Sequence, residues 1–322
     1  MPLSPARGTA RLPTGPILPY LDQGAPDALP VVLLHGITDS CRSFEPVMAH
    51  LPGALRVLAP SQRGHGDAST PDSYRPSDFA TDLEGFLDVL RLQQVVLVGH
   101  SMGAAIAQRF AIDHPERVSA LILIGAFAAL GRNPACIEFG AVTLATLTDP
   151  LDPAFVRRFQ ESTLARTLPE PVLDGVVAES LKVPARVWKA AWAGLLAADL
   201  TSELPRISAP TLLVWGDRDE IALWTEQDVL QRSIPRVHLD IFEGAGHAPH
   251  WEEPERFAAL VSNSVASIKW QAGLRTEACA RRMRVIEREL PLKPAIDLGL
   301  TERRSAPGNA GGRCPASSRS RA

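Results

Sequence analysis

Cysteine and long apolar runs are both scarce in this sequence. Four cysteines occur in 322 residues, and none of them belongs to a C-x-x-C pair. A disulfide-stapled scaffold, a zinc ribbon and a thioredoxin-like redox motif are therefore excluded. No run of about 18 apolar residues occurs, and the N-terminal segment lacks the uninterrupted apolar stretch of a signal peptide. We therefore expect a cytoplasmic protein without a membrane span.

Signatures of nucleotide and metal chemistry are also missing. The sequence contains no G-x-G-x-x-G motif and no Walker loop, which are the glycine-rich segments that cradle phosphates. It contains no H-E-x-x-H motif or comparable spacing of metal ligands. We therefore expect an activity that needs no cofactor and no metal.

Charge is distributed unevenly along the chain. Residues 269–322 hold 12 of the 33 Lys and Arg residues but only 5 of the 36 Asp and Glu residues. This tail therefore has a net charge of +7, and residues 1–268 have a net charge of −10. An acidic body without a basic stripe argues against a nucleic-acid partner. The Arg, Ser, Pro and Gly content of the tail predicts a basic, disordered segment.

Short β-branched runs alternate with amphipathic helical patterns, which predicts an α/β fold with a mostly parallel sheet and helices on both faces. The alternation stops between residues 126 and 204, where prolines punctuate short helical patterns, so this segment is predicted to be a helical cap. The core then comprises residues 16–125 and 205–268. The predicted strands are Val31–Leu34, Arg56–Ala59, Val95–Val98, Leu121–Ile124, Thr211–Trp215 and Val237–Phe242.

A G-x-S-x-G motif connects a predicted strand to a helical pattern. Residues 99–103 (GHSMG) follow the strand Val95–Val98 and open an alanine-rich helix. A sharp turn from strand to helix strains its central residue and exposes that side chain above the sheet. Ser101 is therefore the predicted nucleophile.

Two loops after later strands supply a candidate base and a candidate acid. His247 ends the segment EGAGH after the last predicted strand, and His250 is an alternative base. Asp219 follows the preceding strand, and Asp217 is an alternative acid. We expect these loops at the same edge of the sheet as Ser101. A base that an acid orients can remove the proton of a serine hydroxyl.

The segment after the first strong strand predicts an oxyanion hole. His35, Gly36 and Ile37 end that strand. The backbone N–H groups of Ile37 and Met102 are the predicted donors to the developing negative charge. His35, beside this hole, is a candidate for substrate contact.

Aromatic residues in and near the predicted cap favour an apolar substrate. Phe127, Trp188 and Trp192 are the further candidates for substrate contact. Trp188 and Trp192 are four residues apart and share one helix face, a pattern that also fits packing between cap and core. An apolar roof favours a small or medium hydrophobic ester over a polyanion.

The order of these motifs gives the sequence a family resemblance. From about residue 16 to residue 268, the chain resembles the α/β hydrolases, whose nucleophile, acid and base follow in the order of Ser101, Asp219 and His247. The segment RGHGDAS at residues 63–69 is similar to a loop after the fourth strand of that family. The resemblance implies an α/β-hydrolase fold with a helical cap, and a serine hydrolase.

The identity of residue 101 restricts which reactions of this family are expected. Haloalkane dehalogenases and epoxide hydrolases of this fold use an aspartate nucleophile, whereas this chain has a serine at position 101. Epoxide hydrolases of the family also use tyrosines of the cap, but the two tyrosines of this chain lie outside its predicted cap. Both reactions are therefore disfavoured. We expect hydrolysis of a small or medium apolar carboxylic ester, a small-molecule substrate, through an acyl-enzyme. A carbon–carbon bond hydrolase, a lactonase, a cofactor-free perhydrolase and a non-enzymatic ligand receptor are the alternatives. The sequence predicts no oligomeric state.

Overall fold

Eight strands form one sheet in the computed structural model, which describes residues 4–266. The strands are β1 (Ala6–Arg11), β2 (Ile17–Gly24), β3 (Pro30–Leu34), β4 (Arg56–Pro60), β5 (Val95–His100), β6 (Val118–Ile124), β7 (Thr211–Gly216) and β8 (Val237–Phe242). Their order in the sheet is β1-β2-β4-β3-β5-β6-β7-β8. The pairs β1–β2 and β2–β4 are antiparallel, and every other pair is parallel. The predicted mostly parallel sheet is confirmed.

The central strands are buried on both faces, which explains their unbroken apolar sequences. In β5, Val95 and Leu97 face one core cluster, whereas Val96 and Val98 face a second. This alternation follows from the two-residue period of a strand. Because both faces are covered, the polar residues of the site are confined to the ends of the strands and the loops that follow them.

Helices cover both faces of the sheet. Helices α2, α3 and α8 contribute to the larger core cluster on one face, and α1 and α10 contribute to the smaller cluster on the other. The α-helices between residues 4 and 266 are α1 (Glu45–Met48), α2 (Pro76–Val89), α3 (Met102–Asp113), α4 (Pro134–Glu138), α5 (Pro153–Ser162), α6 (Glu170–Ser180), α7 (Ala185–Ala197), α8 (Trp224–Ser233), α9 (Pro249–Glu252) and α10 (Pro254–Ala266).

The segment between β6 and β7 is helical, as predicted. It contains α4 to α7, and a π-helical segment at Phe139–Leu144 continues α4. Helix α5 begins with Pro153, and the side chain of Asp152 accepts a hydrogen bond from the N–H of Ala154 at 2.9 Å. A proline in the first turn and an aspartate cap are common helix starts. The division of the chain into a core and a cap domain stays a prediction.

The N-terminal hairpin was not predicted. The sequence-based core began at residue 16, whereas β1 begins at Ala6 and pairs with β2 through six residue pairs, from Ala6 with Asp22 to Arg11 with Ile17. Only one residue of β1, Ala10, is buried, so the strand lacks the apolar pattern that identifies the central strands. The predicted disordered tail at residues 269–322 lies outside the described residues. Within residues 4–266, no helix has the length and apolar character to cross a membrane.

Candidate active site

Ser101 occupies the turn between β5 and α3. Its φ of 52° and ψ of −111° form a backbone conformation that residues with a side chain rarely adopt. Backbone hydrogen bonds hold the turn, since the Ser101 N–H donates to the carbonyl of Ile124 at 2.9 Å and the Ser101 carbonyl accepts from Ala104 at 2.9 Å. This geometry is that of a nucleophile elbow, in which the hydroxyl is presented above the sheet.

Two glycines allow this turn to pack closely. A Cβ at Gly99 would overlap the backbone of Gly103, and a Cβ at Gly103 would overlap the carbonyl of Leu34 in β3. Helix α3 therefore starts directly against the sheet. Its N-terminal N–H groups carry partial positive charge beside Ser101, which favours negative charge developing there.

His247 and Asp219 form a buried pair. Nδ1 of His247 lies 2.8 Å from Oδ2 of Asp219. The other carboxylate oxygen accepts the N–H groups of Ile221 at 2.8 Å and Ala222 at 2.9 Å. With its proton on Nδ1, the imidazole donates to Asp219 and offers Nε2 as an acceptor. Within the described residues, Nε2 has no hydrogen-bond partner.

The two alternative residues have other surroundings. Asp217 accepts a hydrogen bond from the N–H of Gly244 at 2.6 Å and so stabilises the turn before the His247 loop. His250 is fully buried and does not line the cavity that contains Ser101. The geometry therefore favours Asp219 and His247.

Ser101, His247 and Ile37 line a cavity of about 20 Å³. This volume is close to the space that one water needs. The cavity is enclosed mainly by apolar side chains from the segment between β6 and β7, with the amide of Gln160 and the hydroxyl of Thr163 as polar exceptions. Its lining residues are Ile37, Asp39, His100, Ser101, Leu130, Phe159, Gln160, Thr163, Trp192, Leu195, Ile221, His247 and Trp251.

The predicted oxyanion donors flank this cavity. Ile37 lines it together with Ser101. Met102 is the first residue of α3, and the first N–H groups of a helix have no partner inside the helix. Thr38 has a φ of 70°, so the chain turns sharply directly after Ile37. The role of both N–H groups stays a prediction that this geometry supports.

Of the predicted substrate contacts in and near the cap, Trp192 lines the cavity, and the other two do not. Trp188 is buried against Phe159, with ring centroids 5.0 Å apart. Phe127 is also buried, and its carbonyl accepts a hydrogen bond from Gln108 at 3.1 Å. Both side chains pack inside the apolar core, so this geometry does not support the prediction of substrate contact for Trp188 and Phe127.

His35, the other predicted substrate contact, does not line this cavity and has hydrogen-bond partners at both ring nitrogens. Its Nδ1 donates to the carbonyl of Gly36 at 2.8 Å, and its Nε2 accepts the N–H of Gln62 at 2.9 Å. The side chain of Gln62 in turn donates to the carbonyl of His35 at 2.9 Å. Because both ring nitrogens are occupied and the residue is fully buried, His35 joins the end of β3 to the loop after β4.

Residues that the sequence reasoning missed hold the His247 loop in place. The N–H of His247 donates to the carbonyl of Thr163 at 2.8 Å. Glu252 accepts the N–H of Gly246 at 2.8 Å and the N–H of Ala165 at 3.1 Å. The segment after α5 is therefore bonded to the loop that carries the candidate base. No local motif in the sequence indicates these contacts.

Two further residues position the chain beside the site. Glu226 is buried and accepts the N–H groups of Ala128 at 2.7 Å and Ala129 at 3.0 Å, which fixes the chain where it leaves β6. Gly125 has a φ of 52°, and a Cβ there would lie 2.8 Å from the ring of His247. A glycine at this position lets the imidazole approach the end of β6. In the sequence, the one sign that Glu226 has a structural partner is the presence of a carboxylate on the buried face of α8.

Several buried titratable groups surround the site. Burial lowers the pKa of His35 and of His250 to about 3 and the pKa of His65 to about 4. Burial also lowers the pKa of His100 well below its usual value, although its Nε2 donates to the carbonyl of His247 at 3.0 Å. In the opposite sense, burial raises the pKa of Asp39 to about 7. These imidazoles are neutral in the folded protein at neutral pH.

We expect the protein to lose stability steeply in acid. Below about pH 6.5 the unfolded chain protonates four histidines that the folded protein keeps neutral, so the free energy of unfolding falls as the pH falls. Asp39 acts in the opposite direction between about pH 4 and pH 7, and so does Glu252, whose pKa burial also raises, but the four histidines outnumber these two carboxyl groups. The net loss is on the order of 4 kcal/mol per pH unit near pH 5. Urea titrations at pH 7.5, 6 and 5 measure it.

Two variants test the contribution of His250 to this pH dependence of the free energy of unfolding. His250→Leu removes a buried imidazole with no hydrogen-bond partner among the described residues, and it should reduce the slope by about 1 kcal/mol per pH unit. The exposed His238, replaced by asparagine, controls for the loss of an imidazole. Equal unfolding free energies of the unsubstituted protein at pH 7.5 and pH 5 would contradict the expectation.

Comparison with known proteins gives matches over most of this chain. Residues 30–254 match the profile of the alpha/beta hydrolase fold. The chain is similar to a putative 2-succinyl-6-hydroxy-2,4-cyclohexadiene-1-carboxylate synthase of Bacillus subtilis, with 30% identity over 261 residues, which covers 77% of this chain and 94% of that protein. It is also similar to a pimeloyl-[acyl-carrier protein] methyl ester esterase of Neisseria meningitidis, with 30% identity over 247 residues, 74% of this chain and 94% of that protein. The solved structure of an esterase from Exiguobacterium antarcticum matches with a TM-score of 0.72 and 26% identity, over 81% of this chain and 100% of that one.

Proposed function

The chain belongs to the alpha/beta hydrolase family and is a hydrolase, and on this premise we propose that it cleaves a small or medium apolar carboxylic ester through an acyl-enzyme on Ser101. One observation carries the proposal. Ser101 and His247 line the same enclosed cavity, and His247 is hydrogen-bonded to the buried Asp219 at 2.8 Å. A serine, a base with a free acceptor nitrogen and an orienting carboxylate are the groups that acyl transfer needs.

The first half of the reaction forms the acyl-enzyme. Nε2 of His247 takes the proton of Ser101 as Oγ attacks the ester carbonyl carbon. Asp219 holds the imidazole in the required tautomer and stabilises the imidazolium. The N–H groups of Ile37 and Met102 donate to the oxyanion, and each such donor contributes about 3–4 kcal/mol. The imidazolium then gives its proton to the departing alkoxide, and the alcohol leaves.

The second half of the reaction regenerates the enzyme. Water replaces the alcohol, and His247 takes one of its protons as the oxygen attacks the acyl carbon. The tetrahedral intermediate collapses, Ser101 receives the proton back, and the carboxylic acid is released. General-base assistance of this kind contributes about 10²- to 10⁴-fold in rate.

Ester hydrolysis is favoured over the alternatives for two reasons. The side chains that the segment between β6 and β7 contributes to the cavity are mostly apolar, and the lining contains no Lys or Arg, which suits an uncharged acyl group better than a polyanion. The second reason is that hydrolysis of a simple ester makes the fewest demands on the site. The relatives do not decide the reaction, since an esterase and a synthase share the same 30% identity with this chain. The lactonase, carbon–carbon hydrolase and perhydrolase reactions use the same groups and are distinguished by the substrate panel.

A panel of p-nitrophenyl esters tests this proposal. We expect kcat/KM to rise through short acyl chains, because each buried methylene lowers the activation free energy by about 1 kcal/mol or less. It should fall once the available space is filled. A serine-directed organophosphate should inactivate the enzyme and label the peptide that contains Ser101, as measured by mass spectrometry. Label on another serine would contradict the proposal, and activity confined to emulsified long-chain lipid would contradict the enclosed site.

A further inference from the structure

A second, larger cavity adjoins the cavity at Ser101. Its volume is about 200 Å³, and it lies between the loop of residues 39–46 and helix α6. Asp39 and Trp251 line both cavities, so these two side chains form the partition between them. We call this space the second chamber.

The two volumes differ in what they can hold. The cavity of about 20 Å³ at Ser101 has room for about one water. An engineered apolar cavity of about 150 Å³ in another protein binds benzene. The second chamber, with 200 Å³, therefore has room for a phenyl ring or a short alkyl chain. An ester whose carbonyl meets Ser101 has to place its larger group elsewhere, and the second chamber is adjacent.

The walls of the second chamber select an uncharged group. Helix α6 contributes Pro171, Val172 and Val176, which form an apolar wall. On the opposite side, the guanidinium of Arg42 lies 3.2 Å from Glu45 and 3.6 Å from Glu179. The carboxyl groups of the lining, which include Asp39, thus outnumber its single cation. A ligand with a terminal carboxylate or phosphate finds no free positive charge there.

We propose that the second chamber is the subsite for an uncharged, apolar group of the ester, no larger than a phenyl ring or a short alkyl chain. The inference rests on the proposed serine hydrolase function and adds the substrate class to it. The group is either the acyl chain or the alcohol part of the ester, since both are attached to the carbonyl carbon that Ser101 attacks. The experiment below distinguishes these two sources.

Gly175 provides a direct way to fill the second chamber. It lies in α6 and lines the chamber, and a Cβ added at this position meets no atom within 4 Å. A Cβ therefore fits at this position without displacing the backbone, and we expect a larger side chain to reduce the space of the chamber. Glycine is also a poor residue in a helix interior, so substitutions here favour the helix. Gly175→Ala is the matched control, because it makes the same helical change and leaves the chamber open.

Three esters measured by pH-stat identify what the second chamber receives. Methyl acetate is small on both sides, methyl hexanoate has the larger acyl group, and hexyl acetate has the larger alcohol. We expect Gly175→Phe to lower kcat/KM for one of the two larger esters at least tenfold more than it lowers kcat/KM for methyl acetate. Loss on methyl hexanoate assigns the acyl group, and loss on hexyl acetate assigns the alcohol. If Gly175→Phe and Gly175→Ala act alike on all three esters, the proposal is overturned.

Charge selectivity and folding are checked in the same series. The monomethyl ester of adipic acid has the chain of methyl hexanoate with a terminal carboxylate. Where the second chamber takes the acyl group, that ester should react at least tenfold more slowly than methyl hexanoate, and equal rates would overturn the assignment of an uncharged group. Melting temperatures of the Gly175 variants verify that they fold, and Gly175→Leu replaces Gly175→Phe if the larger ring destabilises the protein.

A binding measurement separates this inference from the proposed function. Benzyl alcohol has the size of the expected group and needs no chemistry. In a Ser101→Ala background, calorimetry should show binding to the protein and to its Gly175→Ala derivative, and binding at least tenfold weaker with Gly175→Phe. Binding that depends on Gly175 would support the second chamber whatever the chemistry at Ser101. Failure of the organophosphate to label Ser101 in the unsubstituted enzyme would refute the serine mechanism alone. Normal ester turnover with no effect of Gly175→Phe would refute the second chamber alone.

Discussion

Replacing Ser101 with alanine is expected to lower kcat for ester hydrolysis by about 10⁶-fold, the loss found when a serine protease is deprived of its nucleophile. The reason is chemical, because no acyl-enzyme forms without Oγ and water has to attack the ester directly. The melting temperature should stay the same or rise, since removal of a functional side chain rarely costs stability. Kinetics with p-nitrophenyl butyrate and thermal unfolding measure the two effects.

A second serine provides the control for this variant. Ser262 lies in α10, and its hydroxyl donates to the carbonyl of Ala258 at 2.8 Å within the same helix. Ser262→Ala removes a hydroxyl far from the cavity and should retain full activity. A Ser101→Ala protein that turns over ester at the wild-type rate would rule out the acyl-enzyme mechanism.

Replacing Asp219 with asparagine is expected to lower kcat by about 10⁴-fold, as the equivalent change does in a serine protease. The asparagine amide donates where the carboxylate accepted, so His247 is driven to carry its proton on Nε2 and cannot accept the proton of Ser101. The backbone bonds from Ile221 and Ala222 can still reach the side-chain oxygen, so the fold should persist. Steady-state kinetics and circular dichroism give the two readouts.

Asp217 supplies the matched control for this change. Asp217→Asn keeps an oxygen that can accept the N–H of Gly244, and it has no hydrogen bond with His247 among the described contacts. Its kcat should change by only a few-fold. The opposite ranking of the two variants would assign the orienting acid to Asp217, and small losses in both would place the acid elsewhere.

The fold class was predictable because the buried strands carry their own signal. The predicted strand Val237–Phe242 has the bounds of β8, and the others differ from the observed strands by a few residues at their ends. The signal is strong where both faces of a strand are buried, since every residue is then apolar. Strand β1 has one buried residue and pairs with a strand that contains Pro19, so its place in the sheet depends on hydrogen bonds to β2 that the sequence does not reveal.

The site was predictable to the extent that local motifs define it. Ser101, Asp219 and His247 each follow a strand, and the parallel order of β5, β7 and β8 brings the three loops to one edge of the sheet. Their catalytic roles stay predictions. Contacts that connect distant segments were not predictable, and Glu252 is an example, since its partner Ala165 lies 87 residues away along the chain.

Side-chain direction was the other missing information. His35 is adjacent in sequence to the predicted oxyanion hole, but its ring points toward Gln62 and away from the cavity lining. Trp188 and Trp192 share a helix face by spacing, yet Trp192 lines the cavity and donates to the carbonyl of Cys136 at 3.0 Å, whereas Trp188 packs against Phe155 and Phe159. One helix face covers a wide arc, and the spacing of residues does not say which part of it meets a cavity.

The hydrogen bonds between the segment after α5 and the His247 loop have a mechanical consequence. Thr163 accepts the N–H of His247, and Glu252 connects Ala165 to Gly246. Thr163 also lines the 20 Å³ cavity, so one residue contributes to the wall of the cavity and holds the backbone of the candidate base. The shape of the cavity and the position of the imidazole are therefore set by the same few hydrogen bonds.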